Sequence, residues 1–91
     1  MVRDISLIVT NHLESVRINE IIEAAGGPLV ESVRLYDLYE GGKIDAAEKA
    51  LTFRIQYRSS DRTLDGQEIN ELHDRIIQKI MEETGARLRE G

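Results

Sequence analysis

The amino-acid sequence predicts an α+β sandwich in which two helices pack on one face of a four-stranded antiparallel sheet. Two neighbouring runs, residues 33–42 and 50–58, alternate in character and are rich in β-branched and aromatic side chains, as paired strands are. Two other segments repeat their apolar residues at intervals of three and four, which indicates amphipathic helices. With the two ends interpreted in the same way, the order is strand, helix, strand, strand, helix, strand.

Composition limits the class of protein. The 91 residues suffice for one small core, so residues 1–91 are predicted to form a single domain. The chain has no cysteine, which excludes disulfides, a thiol nucleophile and a cysteine-ligated metal. No apolar run approaches the ~18 residues of a membrane-spanning helix, and the N-terminus lacks the pattern of a signal peptide. We therefore expect a cytoplasmic protein with no membrane contact.

The first half of the chain is predicted to form a strand and a helix. Strand 1 covers residues 3–10, with three alternate residues facing the core: Ile5, Leu7 and Val9. Ser15 is predicted to cap the first helix, because its hydroxyl can accept from an unpaired amide of the first turn. Gly26 and Gly27 end that helix, and Pro28 prevents its continuation.

The two central strands are predicted to form a hairpin, joined by residues 41–49, a connection too long for a two-residue turn. In the second of these strands the core face comprises Leu51, Phe53, Ile55 and Tyr57. Because strand side chains repeat every two residues, Asp37 and Tyr39 point the same way, while Tyr36 is assigned to the core side.

The second helix has the clearest pattern in the chain. Asp65 and Glu68 match a capping box, and Gly85 supplies the stop. Between them runs an apolar stripe made of Ile69, Leu72, His73, Ile76, Ile77 and Ile80. Residues 86–89 are predicted to form a short final strand with Leu88 facing inward.

Two split strand–helix–strand units with right-handed crossovers give a ferredoxin-like βαββαβ topology with strand order 4-1-3-2.

One sheet face is then open, and it is predicted to be basic while the helices carry most of the acids. Its arginines are Arg54, Arg58, Arg87 and Arg89, with Arg3 near the rim and with Asp4 and Asp37 as its acids. A local positive surface can attract phosphates although the net charge is −5. The alternative is that these arginines only keep an exposed sheet soluble.

No arrangement of residues indicates catalysis or metal binding. His73 lies on the apolar stripe and is interpreted as a hydrogen-bonded structural histidine, because the sequence places no nucleophile or carboxylate as its partner. His12 has no companion at metal-site spacing, and Asp61 with Asp65 supplies too few ligands for a calcium loop. We predict a non-enzymatic domain without a metal ion.

Tyr39 is the sharpest candidate for binding. An aromatic ring on an open sheet can stack on an unpaired base, which contributes about 1–3 kcal/mol. The alternative is a ring that packs only against its neighbours on the strand.

Seven segments carry a family resemblance: RDISL (3–7), AGGPL (25–29), LYDLYEG (35–41), KAL (49–51), Arg58, DRTL (61–64) and LR (88–89). In this order and with these gaps they resemble the ferredoxin-fold anticodon-binding domain, which ends the β chain of bacterial phenylalanyl-tRNA synthetase. The resemblance covers nearly the whole chain. It implies a C-terminal piece of that chain, with no residues for aminoacylation.

The resemblance implies that the open sheet face binds the anticodon stem-loop of phenylalanine tRNA. Tyr39 would stack against an anticodon base, with Ser6, Asp37 and Ala50 around that base and Arg89 close by. Together with the predicted basic face, this gives the candidate RNA-binding residues Ser6, Asp37, Tyr39, Lys49, Ala50, Arg54 and Arg89. Ala50 stands where the family often has a serine, so one hydroxyl is missing at this position.

The resemblance also implies partners and cofactors of the parent enzyme. The remainder of the synthetase β chain and its α chain would be partners, and ATP and magnesium would be used elsewhere, with no cofactor in this domain. A second class remains open: a protein-interaction or small-ligand module that uses the same face, for example as a sheet-to-sheet dimer. The salt dependence of binding distinguishes an RNA-binding domain from a sheet-to-sheet dimer. RNA binding weakens steeply with ionic strength through counterion release, whereas apolar pairing does not.

Overall fold

A computed structural model describes residues 1–42 and 44–89 and contains the predicted order of elements. The strands are β1 (Val2–Thr10), β2 (Val30–Tyr39), β3 (Glu48–Tyr57) and β4 (Arg87–Leu88). The helices are α1 (Ser15–Gly26) and α2 (Gly66–Thr84), and a 3-10 turn (Gly27–Leu29) links α1 to β2. All strand pairs are antiparallel in the order β2-β3-β1-β4, which confirms the predicted class and topology.

The core lies between the sheet and the two helices. β1 and β3 pair without interruption from Val2 opposite Gln56 to Thr10 opposite Glu48, so their alternate apolar side chains form one continuous surface. Both helices bury isoleucines and a leucine against it: Ile18, Ile21, Ile22, Ile69, Leu72, Ile76 and Ile80. Because burying such a side chain contributes about 1.5–3 kcal/mol, this layer is the main source of stability.

The helix ends agree with the sequence except at one cap. The Asp65 carboxylate accepts from the Gln67 backbone N–H at 2.7 Å, as an N-cap does. Gly85 ends α2 in the left-handed conformation, with φ of 73°. Ser15, however, is the first residue of α1, and Glu14 occupies the cap position without a side-chain hydrogen bond. The predicted cap is therefore one residue too late.

Two side chains lie on the opposite side of the sheet from their prediction. A bulge in β2 between Leu35 and Asp37 turns Tyr36 to the open face, where it is 48% exposed. Arg3 is paired with Ile55 and belongs to the helix side, where its Nε donates to Asn70 Oδ1 at 3.2 Å. Tyr36 departs from the alternation of β2, whereas Arg3 follows the alternation of β1, which places it on the side of Ile5 and not at the rim of the open face.

The edges of the sandwich are less buried than predicted. Leu88 is paired with Leu7 and so faces the helix side, but it is 43% exposed because β4 is only two residues long. Ile77 is only partly buried, at the flank of the α2 stripe. Within the described residues, neither helix combines the length and apolarity needed to cross a bilayer. The predicted hairpin connection contains residue 43, which lies outside the described residues.

Candidate nucleic-acid interface

The sheet face opposite the helices, termed the open face, carries the candidate residues in rows across the strands. One row runs from Tyr39 on β2 through Ala50 on β3 and Ile8 on β1 to Arg87 on β4. The next row contains Asp37, Thr52 and Ser6, and the Arg89 backbone N–H donates to the Ser6 carbonyl at 2.9 Å. These two rows are termed the Tyr39 end of the open face.

Tyr39 and Arg89 meet above the middle of the sheet although they start from its two opposite edge strands. The guanidinium carbon of Arg89 lies 5.3 Å from the centroid of the Tyr39 ring, within the range of a cation–π contact. The ring is 42% exposed, whereas Ala50 in the same row is 2% exposed. Both interpretations of Tyr39 therefore apply, because the ring contacts neighbouring residues and also leaves surface on which a base can stack.

The loop after β2 helps to fix the tyrosine. Gly42 has φ of 59° and lies against the hydroxyl end of Tyr39, where a side-chain carbon would collide with the phenol. This position therefore requires glycine both for its backbone conformation and for the space it leaves.

A pair of hydroxyls lies beside the tyrosine. Ser6 Oγ and Thr52 Oγ1 are 3.0 Å apart and hydrogen-bonded, and Thr52 is 9% exposed. Asp37, opposite Thr52, is exposed. Hydroxyls both donate and accept and a carboxylate accepts, so this row can satisfy the donors and acceptors on the edge of a base.

The opposite end of the open face, termed the Arg54 end, contains Asp4, Arg34, Tyr36, Arg54 and Gln56. Arg54 donates from Nε to Asp4 Oδ1 at 3.0 Å and from Nη2 to Asp4 Oδ2 at 3.2 Å. The Tyr36 hydroxyl donates to the same carboxylate at 3.1 Å. These bonds, with that from Arg54 the strongest, lower the pKa of the Asp4 carboxyl from its ordinary 3.8 and keep it ionised.

Ion pairs neutralise more of the positive charge on the open face than the sequence indicates. Besides the Arg54–Asp4 pair, Arg58 pairs with Glu31 at 3.6 Å and Arg87 pairs with Glu48 at 3.1 Å. Among the described residues, the arginines of this face that lack an ion pair are Arg89 and a residue absent from the prediction, Arg34. Positive charge available to an external anion is thus concentrated at two points.

The structure brings together six of the seven predicted RNA-binding residues and separates the seventh. Ser6, Asp37, Tyr39, Ala50, Arg54 and Arg89 share the open face. Lys49 is paired with Val9, a buried core residue, and therefore belongs to the helix side of the sheet. Placement on one face is what the structure establishes; contact with RNA stays a prediction.

Sequence reasoning missed Arg34, Tyr36 and the hydroxyl of Thr52. The first two depend on the β2 bulge, and one signal for it exists in the sequence. From Val33 onward the aliphatic residues of β2 fall at odd positions, Val33 and Leu35, and then at Leu38, an even position. Such a change of phase indicates an extra residue in the strand.

His73 has the structural role predicted for it. Its Nδ1 lies 2.9 Å from the Tyr57 hydroxyl; Tyr57 is buried and His73 is partly buried. Burial raises the pKa of Tyr57 to about 12, so the phenol keeps its proton at neutral pH and shares one hydrogen bond with the imidazole. In residues 1–42 and 44–89 no three His, Asp or Glu side chains are grouped as metal ligands.

Comparison with known proteins identifies the family. Residues 1–89 match the ferredoxin-fold anticodon binding domain. Phenylalanine–tRNA ligase β subunits from Bacillus cereus and Prochlorococcus marinus are 38% and 42% identical to this chain over 89 residues, which is 98% of the chain. The same subunit from Syntrophotalea carbinolica is 37% identical over 87 residues, 96% of the chain. The chain spans only 11% of the length of each of these relatives. The predicted resemblance is confirmed: the chain belongs to the ferredoxin-fold anticodon-binding domain family.

Proposed function

We propose that this domain binds the anticodon stem-loop of phenylalanine tRNA on its open face, as a non-catalytic module of a phenylalanyl-tRNA synthetase β chain. The observation that carries the proposal is the Tyr39–Arg89 pair, a partly exposed aromatic ring beside an arginine without an ion pair in the described part of the chain. Family membership and the identity to phenylalanine–tRNA ligase β subunits support the choice of RNA.

The Tyr39 end suits one unpaired base. Anticodon loops present bases that can be splayed out and stacked on aromatic rings or arginine planes. A base on the Tyr39 ring would have Ser6, Thr52 and Asp37 in the adjoining row to meet its polar edge, whereas Ala50, which is 2% exposed, offers it little surface. Arg89 then either covers the other side of the base or binds an adjacent phosphate. Lys49, on the helix side, contributes only long-range attraction.

The remaining functions of the synthetase lie outside this domain. We propose that aminoacylation, with ATP and magnesium, takes place in other parts of the enzyme, that the rest of the β chain and the α chain are the domain's protein partners, and that the assembly works in the cytoplasm. Among residues 1–42 and 44–89, the open face carries carboxylates and hydroxyls whose hydrogen bonds are to other polar side chains of the same face, and these groups are suited to recognition.

Titration of the phenylalanine tRNA anticodon stem-loop into the domain tests the proposal, with an unrelated stem-loop of equal length as control. Tighter binding of the phenylalanine stem-loop, weakening linearly on a log–log plot against salt, is the expected result. Equal affinity for the two stem-loops, or no binding of either, would contradict it. Salt-insensitive self-association, measured by sedimentation, would favour the sheet-to-sheet dimer instead.

A further inference from the structure

Arg34 is an exposed arginine whose position in the sheet is electrostatically unfavourable. It is directly opposite Arg54 in the β2–β3 pairing. Like charges in directly opposed strand positions destabilise a sheet. Asp4 offsets this repulsion by binding Arg54 through both carboxylate oxygens, but Arg34 has no ion pair among the described residues. The Arg54 end therefore keeps about one positive charge, located on Arg34.

A shallow pocket lies beside this arginine. Its volume is about 350 Å³, and it is lined by Ser32, Val33, Arg34, Arg54 and Gln56. Ser32 is paired with Gln56 on the neighbouring row, so a hydroxyl and a carboxamide lie next to the guanidinium groups. Guanidinium, hydroxyl and amide donors around a solvent-open pocket are the groups that bind phosphate oxygens.

Tyr36 lies on the open face between Arg34 and Tyr39 along β2. Its ring lies 4.6 Å from the Arg54 guanidinium carbon, and its hydroxyl is bonded to Asp4. These two contacts hold the ring in place while it remains 48% exposed. The Arg54 end is thus fixed before any ligand arrives, which reduces the entropy cost of binding.

We propose that the Arg54 end is a second RNA subsite, in which Arg34 binds a phosphodiester of the stem while the Tyr39 end holds a base of the loop. The inference rests on the proposed function and extends its footprint. Arg34 and Tyr39 are paired with Arg54 and Ala50, which are four residues apart on the unbulged strand β3, so the two ends are about 13 Å apart at 3.3–3.4 Å per residue. That distance exceeds the span of one nucleotide, so a single nucleotide cannot occupy both ends, whereas a stem-loop can.

The test compares Arg34→Gln with the parent domain on two RNAs, the phenylalanine anticodon stem-loop and a seven-nucleotide RNA of the loop alone. For the stem-loop we expect roughly three- to tenfold weaker binding and a salt slope smaller by about 0.7–0.9. Affinity for the loop RNA is expected to change much less, because that RNA has no stem phosphodiester for Arg34 to bind. Arg34→Lys should retain the salt slope, since it keeps the charge.

Arg75→Gln is the matched control, because Arg75 is an exposed arginine of α2 without an ion pair in the described part of the chain. It should leave both affinities unchanged. The thermal midpoint of Arg34→Gln should equal or exceed that of the parent, since a like-charge pair is removed.

The possible failures are distinguishable. If the parent binds the stem-loop and Arg34→Gln binds it equally well, the second subsite is wrong and the proposed function stands. An equal loss on stem-loop and loop RNA would place Arg34 at the stacked base, which also overturns the stem assignment. If the parent does not bind the stem-loop at all, both proposals fail. If RNA affinity is unchanged but Arg34→Gln loses binding of a polyglutamate peptide, the pocket belongs to an acidic protein partner.

Discussion

The two faces of the sheet are held by different forces. On the helix face, Phe53 and Ile55 are completely buried against α1 and α2 in an apolar layer. On the open face, the strands are linked by polar contacts such as the Ser6–Thr52 hydroxyl pair and the Arg54–Asp4 ion pair. Most of these polar side chains are exposed, and exposed ion pairs contribute about 0–1 kcal/mol each.

This difference separates stability from recognition. Changes on the helix face should act mainly on the free energy of unfolding, because they remove buried apolar contacts. Changes on the open face should act mainly on RNA affinity, since its groups are accessible and contribute little to the core.

The largest effect is expected for Ile76→Ala. Ile76 is fully buried in α2, so its truncation should lower the free energy of unfolding by roughly 2–5 kcal/mol and the thermal midpoint by about 10 °C or more. Ile77→Ala, one residue along but only partly buried, should cost about 1–2 kcal/mol. Denaturant unfolding measures both. Equal losses for the two variants would mean that the buried and flanking positions of α2 are wrongly assigned.

Next in size is Tyr39→Ala, which should weaken stem-loop binding by about 1–3 kcal/mol through loss of stacking. Its effect on unfolding should remain within about 0.5 kcal/mol, because the ring is outside the core. Tyr39→Phe keeps the ring and serves as the control, with near-parent affinity. RNA affinity that is insensitive to loss of the ring would remove Tyr39 from the interface.

Arg89→Gln should reduce the salt slope of stem-loop binding by about one unit or less. Arg54→Gln should change the slope less, because Arg54 is already bonded twice to Asp4. Glu20→Lys and Glu71→Lys, on the helices, are the controls and should act only through weak long-range attraction. Salt titration of the four variants checks this. A slope that responds to the helix variants and not to Arg89 would place the RNA on the other side of the domain.

The smallest effect is a pH dependence of stability from His73. Burial lowers the pKa of His73 below 6.5, a shift partly opposed by the Asp4 backbone and by Asp74 and increased by Arg3. As the pH falls below about 6.5 the unfolded chain therefore binds a proton that the folded chain does not, so the free energy of unfolding decreases. Unfolding measured between pH 7.5 and 5.5 should show this decrease, and His73→Gln should reduce it. An unchanged slope in the variant would assign the titration to another group.

Regular alternation is what made the fold predictable. β1 and β3 pair without a bulge, so the parity of Leu51, Phe53 and Ile55 alone identified the buried face. The Asp65 cap and the Gly85 stop were also local in sequence, and the structure contains both. Most features that depend on neighbouring residues within one element could therefore be predicted, and the cap of α1, at Glu14 instead of Ser15, is the exception.

The composition of the open face could not be predicted in the same way. Alternation alone places Tyr36 on the core side, but a bulge reverses the parity of β2 and turns this residue to the open face. The Arg54–Asp4 and Arg87–Glu48 pairs join strands far apart in sequence and depend on register, which parity does not give. Lys49 was included through family resemblance, although its parity matches that of the core residue Leu51. The arginines predicted for the open face thus lie there, but more of them are in ion pairs than the sequence indicates.

NMR mapping of amide chemical shifts during titration with the phenylalanine anticodon stem-loop tests directly whether the open face binds the RNA. We expect the largest changes in β1 and β3 and around Tyr39 and Arg89, with the exposed flank of α2 near Met81 unchanged. An unrelated stem-loop should produce smaller changes at the Tyr39 end. Changes concentrated on α1 and α2, with the open face unaffected, would contradict the claim that this face is the RNA interface.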